Sequence, residues 1–204
     1  MSPKPWSGLR VAHRLSATAV VATSLLLAAL FSVLFSVWGA LVTDDALGIF
    51  RSQMAFTRDR FTEIVGTWDI AEFIRLTASL DFIYPVAYAT AIAAVWALAS
   101  RSEPDRSTWP LAVAMIAVAA DWLENAFHLI AIRPMITAEP VIGIAVAIGS
   151  IFAVIKWAAI VAALAATARA AWRHRFWGWR LAAVALASSA AGLAGLVASL
   201  TIGR

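Results

Sequence analysis

Asp121, Glu124, Asn125 and His128 fall at offsets 0, 3, 4 and 7 within an otherwise apolar stretch of membrane-spanning length. At 3.6 residues per turn, those offsets put four polar side chains on one helical stripe. A second stripe precedes it, with Asp81, Tyr84 and Tyr88 at offsets 0, 3 and 7. Ionisable side chains at bilayer depth are costly and almost always face a bundle interior or a water-filled path, so the two stripes are the candidate functional site. Carboxyls one turn apart in a low-dielectric setting repel one another when both are ionised. One of Asp121 and Glu124 is therefore expected to hold a proton and act as a general acid. His128 or Asp81 would return the proton, and Tyr84, Tyr88 and Asn125 would orient a substrate oxygen. Pro85 lacks a backbone N–H and so frees a carbonyl one turn earlier, around Asp81, to join the same network.

Spans must hold these groups at depth. The chain has 204 residues, 62% of them hydrophobic and 14% charged, with a mean hydropathy of +0.83. It has too few polar residues to cover a soluble globule, and it reads as an integral membrane protein with the bilayer as its partner. Five segments are long and apolar enough to cross: residues 17–42, 79–100, 109–132, 141–168 and 181–202. The expected fold class is all-α, a single domain over 1–204 forming a five-helix bundle. The first span is too long for the apolar core of a signal peptide and is expected to remain as an anchor.

With the N-terminus cytoplasmic, the inner segments carry Lys4, Arg10, Arg14, Arg101, Arg106, Arg169, Arg173, Arg175 and Arg180. The outer segments carry Arg51, Arg58, Arg60, Arg75, Arg133 and Arg204. This bias favours a multi-pass inner-membrane protein with its N-terminus inside and its C-terminus outside. The net charge of +4 then reports topology rather than nucleic-acid binding. Cysteine is absent, which excludes disulfides, thiolate metal sites and a cysteine nucleophile.

The segment 43–78 is too long for a turn. Phe50, Met54, Phe61, Ile64, Val65 and Trp68 recur in it at helical spacing. It reads as an amphipathic helix on the outer surface, either a packed connector or a lid over the site. Gly66 is a plausible helix stop, and Thr67 an N-cap for a helix from Trp68 onward that leads into span two. Spans two and three are antiparallel across a short inner loop, so depth can be matched by counting from their outer ends. Asp81 then lies level with His128, Tyr84 with Glu124 and Asn125, and Tyr88 with Asp121. Two placements fit Lys156 equally: neutralising Asp121 or Glu124, or extending toward the inner surface. Ser188, Gly192, Gly195 and Ser199 form a small-residue face on span five suited to close packing or homo-oligomerisation. Ser32 and Ser36 are expected to be satisfied by their own backbone.

No P-loop, dinucleotide fingerprint, nucleophile elbow or HExxH motif is present and no cofactor is expected; the one apparent metal set, Asp81, Asp121, Glu124 and His128, is as suited to holding protons, and no metal is assigned to it. The aspartate clusters that hold diphosphate through magnesium are missing too. Adhesion between spans is the plainer reading of intramembrane polar groups, at about 0.6 kcal/mol for an average hydrogen bond. Two carboxylates, an amide and an imidazole facing another acid and two tyrosines exceed what adhesion needs.

The pair Asp81-Phe82-Ile83-Tyr84-Pro85 and Asp121-Trp122-Leu123-Glu124-Asn125 resembles a pattern in small bacterial multispan proteins. In its few short spans, intramembrane acids and many aromatics, the chain is also similar to the transmembrane terpene cyclases of fungal meroterpenoid and bacterial prenylated-indole pathways. That similarity covers spans two and three. It implies an acid that protonates an epoxide or alkene, with aromatic faces stabilising the carbocation. Here Asp121 and Glu124 would be the acids, assisted by Asp81, with Tyr84, Tyr88, Trp122 and Phe127 as cavity walls. The function expected is acid–base isomerisation or cyclisation of a lipid-soluble isoprenoid or polycyclic substrate. A proton-coupled transporter or channel component, with the same residues as a relay, and an accessory subunit are the competing classes.

Overall fold

The computed structural model describes residues 7–43, 48–99 and 107–173. The expected fifth span and its small-residue face lie outside them. The described residues are helical throughout, apart from short turns. The long helices are α1 (Ser7–Thr43), α4 (Ile70–Ala99), α5 (Trp109–Ile132) and α6 (Gly143–Arg173). The short helices α2 (Gly48–Gln53) and α3 (Arg58–Val65) lie between α1 and α4, and a 3-10 turn (Arg133–Thr137) joins α5 to α6.

Four stretches are long and apolar enough to cross a bilayer: Ala22–Thr43, Ile70–Ala97, Trp109–Thr137 and Gly143–Ala170. The 24 residues of α5 alone measure about 36 Å, against a hydrocarbon core of about 30 Å. Their outer faces carry large apolar side chains, among them Leu26, Leu30 and Leu41 on α1, Ile83 and Val86 on α4, and Ile144, Val161 and Leu164 on α6. Such continuous apolar exposure suits lipid rather than water.

The helices α5 and α6 share the most extensive contact, and α4 packs between α5 and α1. Small residues let α5 and α6 approach: Ala114, Ala117, Ala120 and Ala131 on one side, and Ala145, Ala153, Ala159 and Ala163 on the other, all buried. At the end of the bundle carrying the α5–α6 turn, an apolar layer gathers Phe61, Val65, Trp68, Phe73, Ile132, Val141 and Val146.

The connection between α1 and α4 differs from one continuous amphipathic helix. It breaks at 54–57, where Phe56 adopts φ 55°, in the left-handed region. Its backbone N–H donates to Ser150 Oγ on α6 at 3.1 Å, which replaces the intrahelical partner the break removes. The break also changes the phase of the apolar positions. Phe61, Val65 and Trp68 are buried, whereas Phe50 remains exposed and meets Trp157 edge-on at 5.9 Å.

Beyond the break, α3 starts at an N-cap, Thr57, whose hydroxyl accepts from Arg60 N. It stops at Gly66, where a Cβ would come within 2.8 Å of the Thr62 carbonyl. The cap of α4 is Asp69 rather than Thr67: its Oδ1 accepts from Glu72 N at 3.0 Å. The helix expected from Trp68 onward and span two are thus a single helix, α4.

Left-handed backbone costs an L residue about 1–2 kcal/mol, and glycine escapes that cost. Phe56→Gly should therefore be more stable than Phe56→Ala by about 1 kcal/mol. Thermal unfolding of the two variants in the same detergent checks this, and equal midpoints would remove strain from the account of the break.

Candidate functional site

Pro85 stands inside α4, and its missing N–H leaves the carbonyl of Asp81, four residues back, without its helical donor. Asn125 of α5 supplies one: its Nδ2 donates to Asp81 O at 3.1 Å. Trp122, one turn away on α5, donates its indole N–H to the neighbouring Phe82 carbonyl at 2.9 Å. The two five-residue motifs thus meet each other. One exposes main-chain acceptors, and the other brings side-chain donors to them.

That seam fixes the register of the two stripes. Tyr88 OH donates to Asp121 Oδ2 at 3.1 Å, in agreement with the depth matching of this pair. Asn125 reaches the Asp81 backbone, so these levels agree to within a turn. The rings of Tyr84 and Tyr88 meet edge to face at 5.4 Å. The Tyr84 hydroxyl lies 3.1 Å from Ser32 Oγ on α1. Ser32 also donates to its own helix at Ala28 O, so the backbone bond expected of it is present and a cross-helix partner is added.

On the other side of α5, Lys156 of α6 points inward. Its Nζ lies 3.3 Å from Asp121 Oδ1 and 2.5 Å from Glu124 Oε2. Of the two placements open to Lys156, the structure has the one that neutralises the acids. Glu124 Oε2 is engaged by this ion pair alone, and Oε1 has no hydrogen-bond donor. His128 Nδ1 stands 3.8 Å from Glu124 Oε1, in ion-pair range and beyond hydrogen-bonding distance. His128 Nε2 is buried without a partner. Its ring fits because residue 149 is glycine: a Cβ there would come within 2.8 Å of both Cδ2 and Nε2. Its face stacks on Phe61 of α3, with centroids 5.5 Å apart and planes at 23°.

Asp81, Asp121, Glu124, Asn125, His128 and Lys156 are all buried. Together with the half-buried Tyr84 and Tyr88, they form a ladder of proton-bearing groups running from Ser32 on α1, through α4 and α5, to Phe61 on α3. A buried ion pair needs close geometry and satisfied neighbours to offset desolvation. Here one ammonium stands against Asp121 and Glu124 while Asp81 is buried as well, so three ionised carboxyls would leave the cluster's charge unbalanced.

Two aromatics expected as cavity walls are placed elsewhere. Trp122 is 41% exposed on the outer face, because its indole turns toward the Phe82 carbonyl. Phe127 stacks on Phe152 at 6.0 Å, since its offset of six from Asp121 carries it off the polar stripe. The residues that sequence reasoning did not assign to the site are Ser32, Phe61 and Gly149. Phe61 carried a signal as part of the apolar pattern of segment 43–78. Gly149 carried none, because a glycine in an Ala/Gly-rich span reads as ordinary packing.

No protein-family model, curated protein or solved structure matches this chain.

The carbonyl argument predicts a specific non-additivity. Asn125→Leu removes the donor to Asp81 O and should destabilise by about 1–2 kcal/mol. Pro85→Ala returns a main-chain N–H to that carbonyl. In the Pro85→Ala background the cost of Asn125→Leu should fall by about 1 kcal/mol. A double-mutant cycle on thermal stability reads the coupling, and strict additivity would mean that the carbonyl is not what Asn125 serves.

Proposed function

We propose that this chain is a five-span inner-membrane protein, N-terminus inside and C-terminus outside, whose buried ladder binds and passes protons. The segment between spans one and two caps the outer end of the bundle. The observation that carries the reading is Lys156, whose ammonium lies against Asp121 and Glu124 together. One cation between two carboxylates is a proton-sensitive arrangement. Adding a proton to either acid releases that oxygen from the lysine and leaves the other pair intact, and removing it restores the three-way contact. Tyr88 beside Asp121 and His128 beside Glu124 extend the path in both directions.

Proton occupancy is thereby tied to how tightly α5 holds α6, which is the property a proton-coupled transporter or channel component needs. The same geometry is less direct support for protonation of a substrate. Both acids already face a cation, and a general acid works best with its proton aimed at the reacting atom.

The expected signature is spectroscopic. Infrared difference spectra across a pH step should contain a carbonyl band from a protonated buried carboxyl, shifted in D2O and lost in Asp121→Asn/Glu124→Gln. A wild type without any such band would refute proton storage in the cluster.

A second reading, acid–base isomerisation or cyclisation of a lipid-soluble isoprenoid or polycyclic substrate, draws on one specific feature. Tyr84 and Tyr88 are only half-buried, with Tyr84 at the α1–α4 seam through Ser32 and Tyr88 in ring contact with it. A lipophilic molecule lodged between those helices would meet the phenol that hydrogen-bonds Asp121. Mass spectrometry of lipid extracts from cells expressing wild type or the double variant decides it. Matching lipidomes from two equally folded proteins leave proton coupling as the function, whereas a compound that depends on the carboxylates makes the chain an enzyme.

A further inference from the structure

Lys156 carries the one ammonium of the ladder, and both carboxylates beside it belong to α5. From its own helix it meets an aromatic ring instead. Its Nζ lies over the indole of Trp157, 5.4 Å from the ring centroid, within the roughly 6 Å at which an aromatic face attracts a cation. An ammonium has three N–H donors and needs company for its charge on every side. A π face supplies it without adding a further anion beside Asp121 and Glu124.

Successive residues on a helix point about 100° apart, so helix geometry alone does not turn Trp157 toward the side chain before it. The ring is held from α2. Its Nε1 donates to Gln53 Oε1 at 3.3 Å, and Phe50 meets it edge-on at 5.9 Å with planes at 70°. Gln53 is itself buried. The chain just past α2 is tied to α6 a second time, where Phe56 N donates to Ser150 Oγ. Ser150 and Trp157 are seven residues apart, about two turns, and so share one face of α6. At its start α2 is closely seated as well: a Cβ at Gly48 would meet Thr43 and Trp68 at 3.1 Å.

We propose that Trp157 is a positioning residue for Lys156, its indole face bearing on the ammonium and its N–H anchored by Gln53. This rests on the proton-handling reading of the ladder and names what holds the shared cation against Asp121 and Glu124. It also gives the segment between α1 and α4 a direct hold on the ladder. A displacement of α2 is felt at the Trp157 ring and, through the ring, at the ammonium.

The test uses the scarcity of lysine. The chain has two, Lys4 and Lys156. Lysine labelled with 13C at Cε therefore gives two methylene signals in NMR spectra of the purified full-length protein, and Lys4→Arg assigns them. An aromatic face shifts protons lying over it upfield. The Lys156 signal should lie upfield of the Lys4 signal, lose that displacement in Trp157→Leu and keep part of it in Trp157→Phe. Gln53→Leu should reduce the displacement, and Gln53→Glu, which keeps an acceptor oxygen, should retain it. Equal shifts for the two lysines in the wild type, or an upfield signal untouched by Trp157→Leu, would overturn the contact. An upfield signal untouched by Gln53→Leu would overturn the anchor on α2. If Trp157→Leu fails to elute as a folded species, Trp157→Phe stands in its place, and an unchanged signal there would overturn the contact equally. Positioning has its own readout. The carboxyl infrared band should change frequency in Trp157→Leu, and an unchanged band beside a lost upfield shift would overturn the positioning role. A wild type with the upfield signal and no carboxyl band removes proton handling alone, and the band without the upfield signal removes Trp157 alone.

Discussion

Everything in this bundle is arranged around one buried ammonium. Moving a charge from water into hydrocarbon costs several kcal/mol even after relaxation, and a lone carboxylate costs as much. Lys156 and its two acids lower that cost jointly, but only at contact distance. The demand on distance propagates outward: α5 and α6 must come close enough for a lysine stem to cross between them. That requires alanine at Ala117 and Ala153, both fully buried, and glycine under the His128 ring. The alanine richness of the spans is therefore part of the electrostatics. Larger side chains along this seam would hold the charges apart.

A second constraint comes from the main chain. A proline in mid-helix is expensive in a membrane because the carbonyl it strands has no water to turn to. Here the stranded group is used. Asn125 satisfies it, and in doing so locks the rotation and height of α5 against α4 so that Tyr88 arrives at Asp121. The amide serves placement and the carboxylates serve charge, although all sit on one stripe. Polarity on a transmembrane face thus has two separable purposes, told apart by whether the partner is backbone or a titratable side chain.

Much of this was legible in the sequence, for identifiable reasons. The stripes on α4 and α5 are periodic and contain residue types that an apolar helix excludes, so they stand out without a structure. The short connection between their spans forces antiparallel packing, so Tyr88 could be set beside Asp121 by counting. The freed carbonyl near Asp81 followed from proline chemistry alone. Lys156 resisted because it is the single charged residue in its span and gives no phase relative to the other helices. Trp122 entered as a cavity wall through the resemblance alone, and its position followed from no periodicity: its N–H reaches the Phe82 carbonyl at the helix edge. The interrupted helix at Phe56 had no local signal either: phenylalanine is a poor left-handed residue, and only Ser150, 94 positions away, makes that backbone tolerable.

The two ends of the ladder differ in kind, and the difference bears on direction. At the His128 end, the imidazole stacks on Phe61 of the short helix α3, within an apolar layer to which α4, α5 and α6 also contribute. At the other end, Tyr84 and Ser32 are half-buried at the junction with α1, where most of the described side chains between Ala22 and Thr43 are at least partly exposed. A relay with two equal ends would equilibrate protons across the membrane and dissipate any gradient it met. On the proposed reading, an end packed against a short helix and an end closed by hydroxyls whose hydrogens can rotate between acceptors would be reached at different times. That separation in time is the minimum a proton-coupled device requires. On that reading it would arise from packing a short amphipathic helix, preceded by one strained residue, against the imidazole at the end of the ladder.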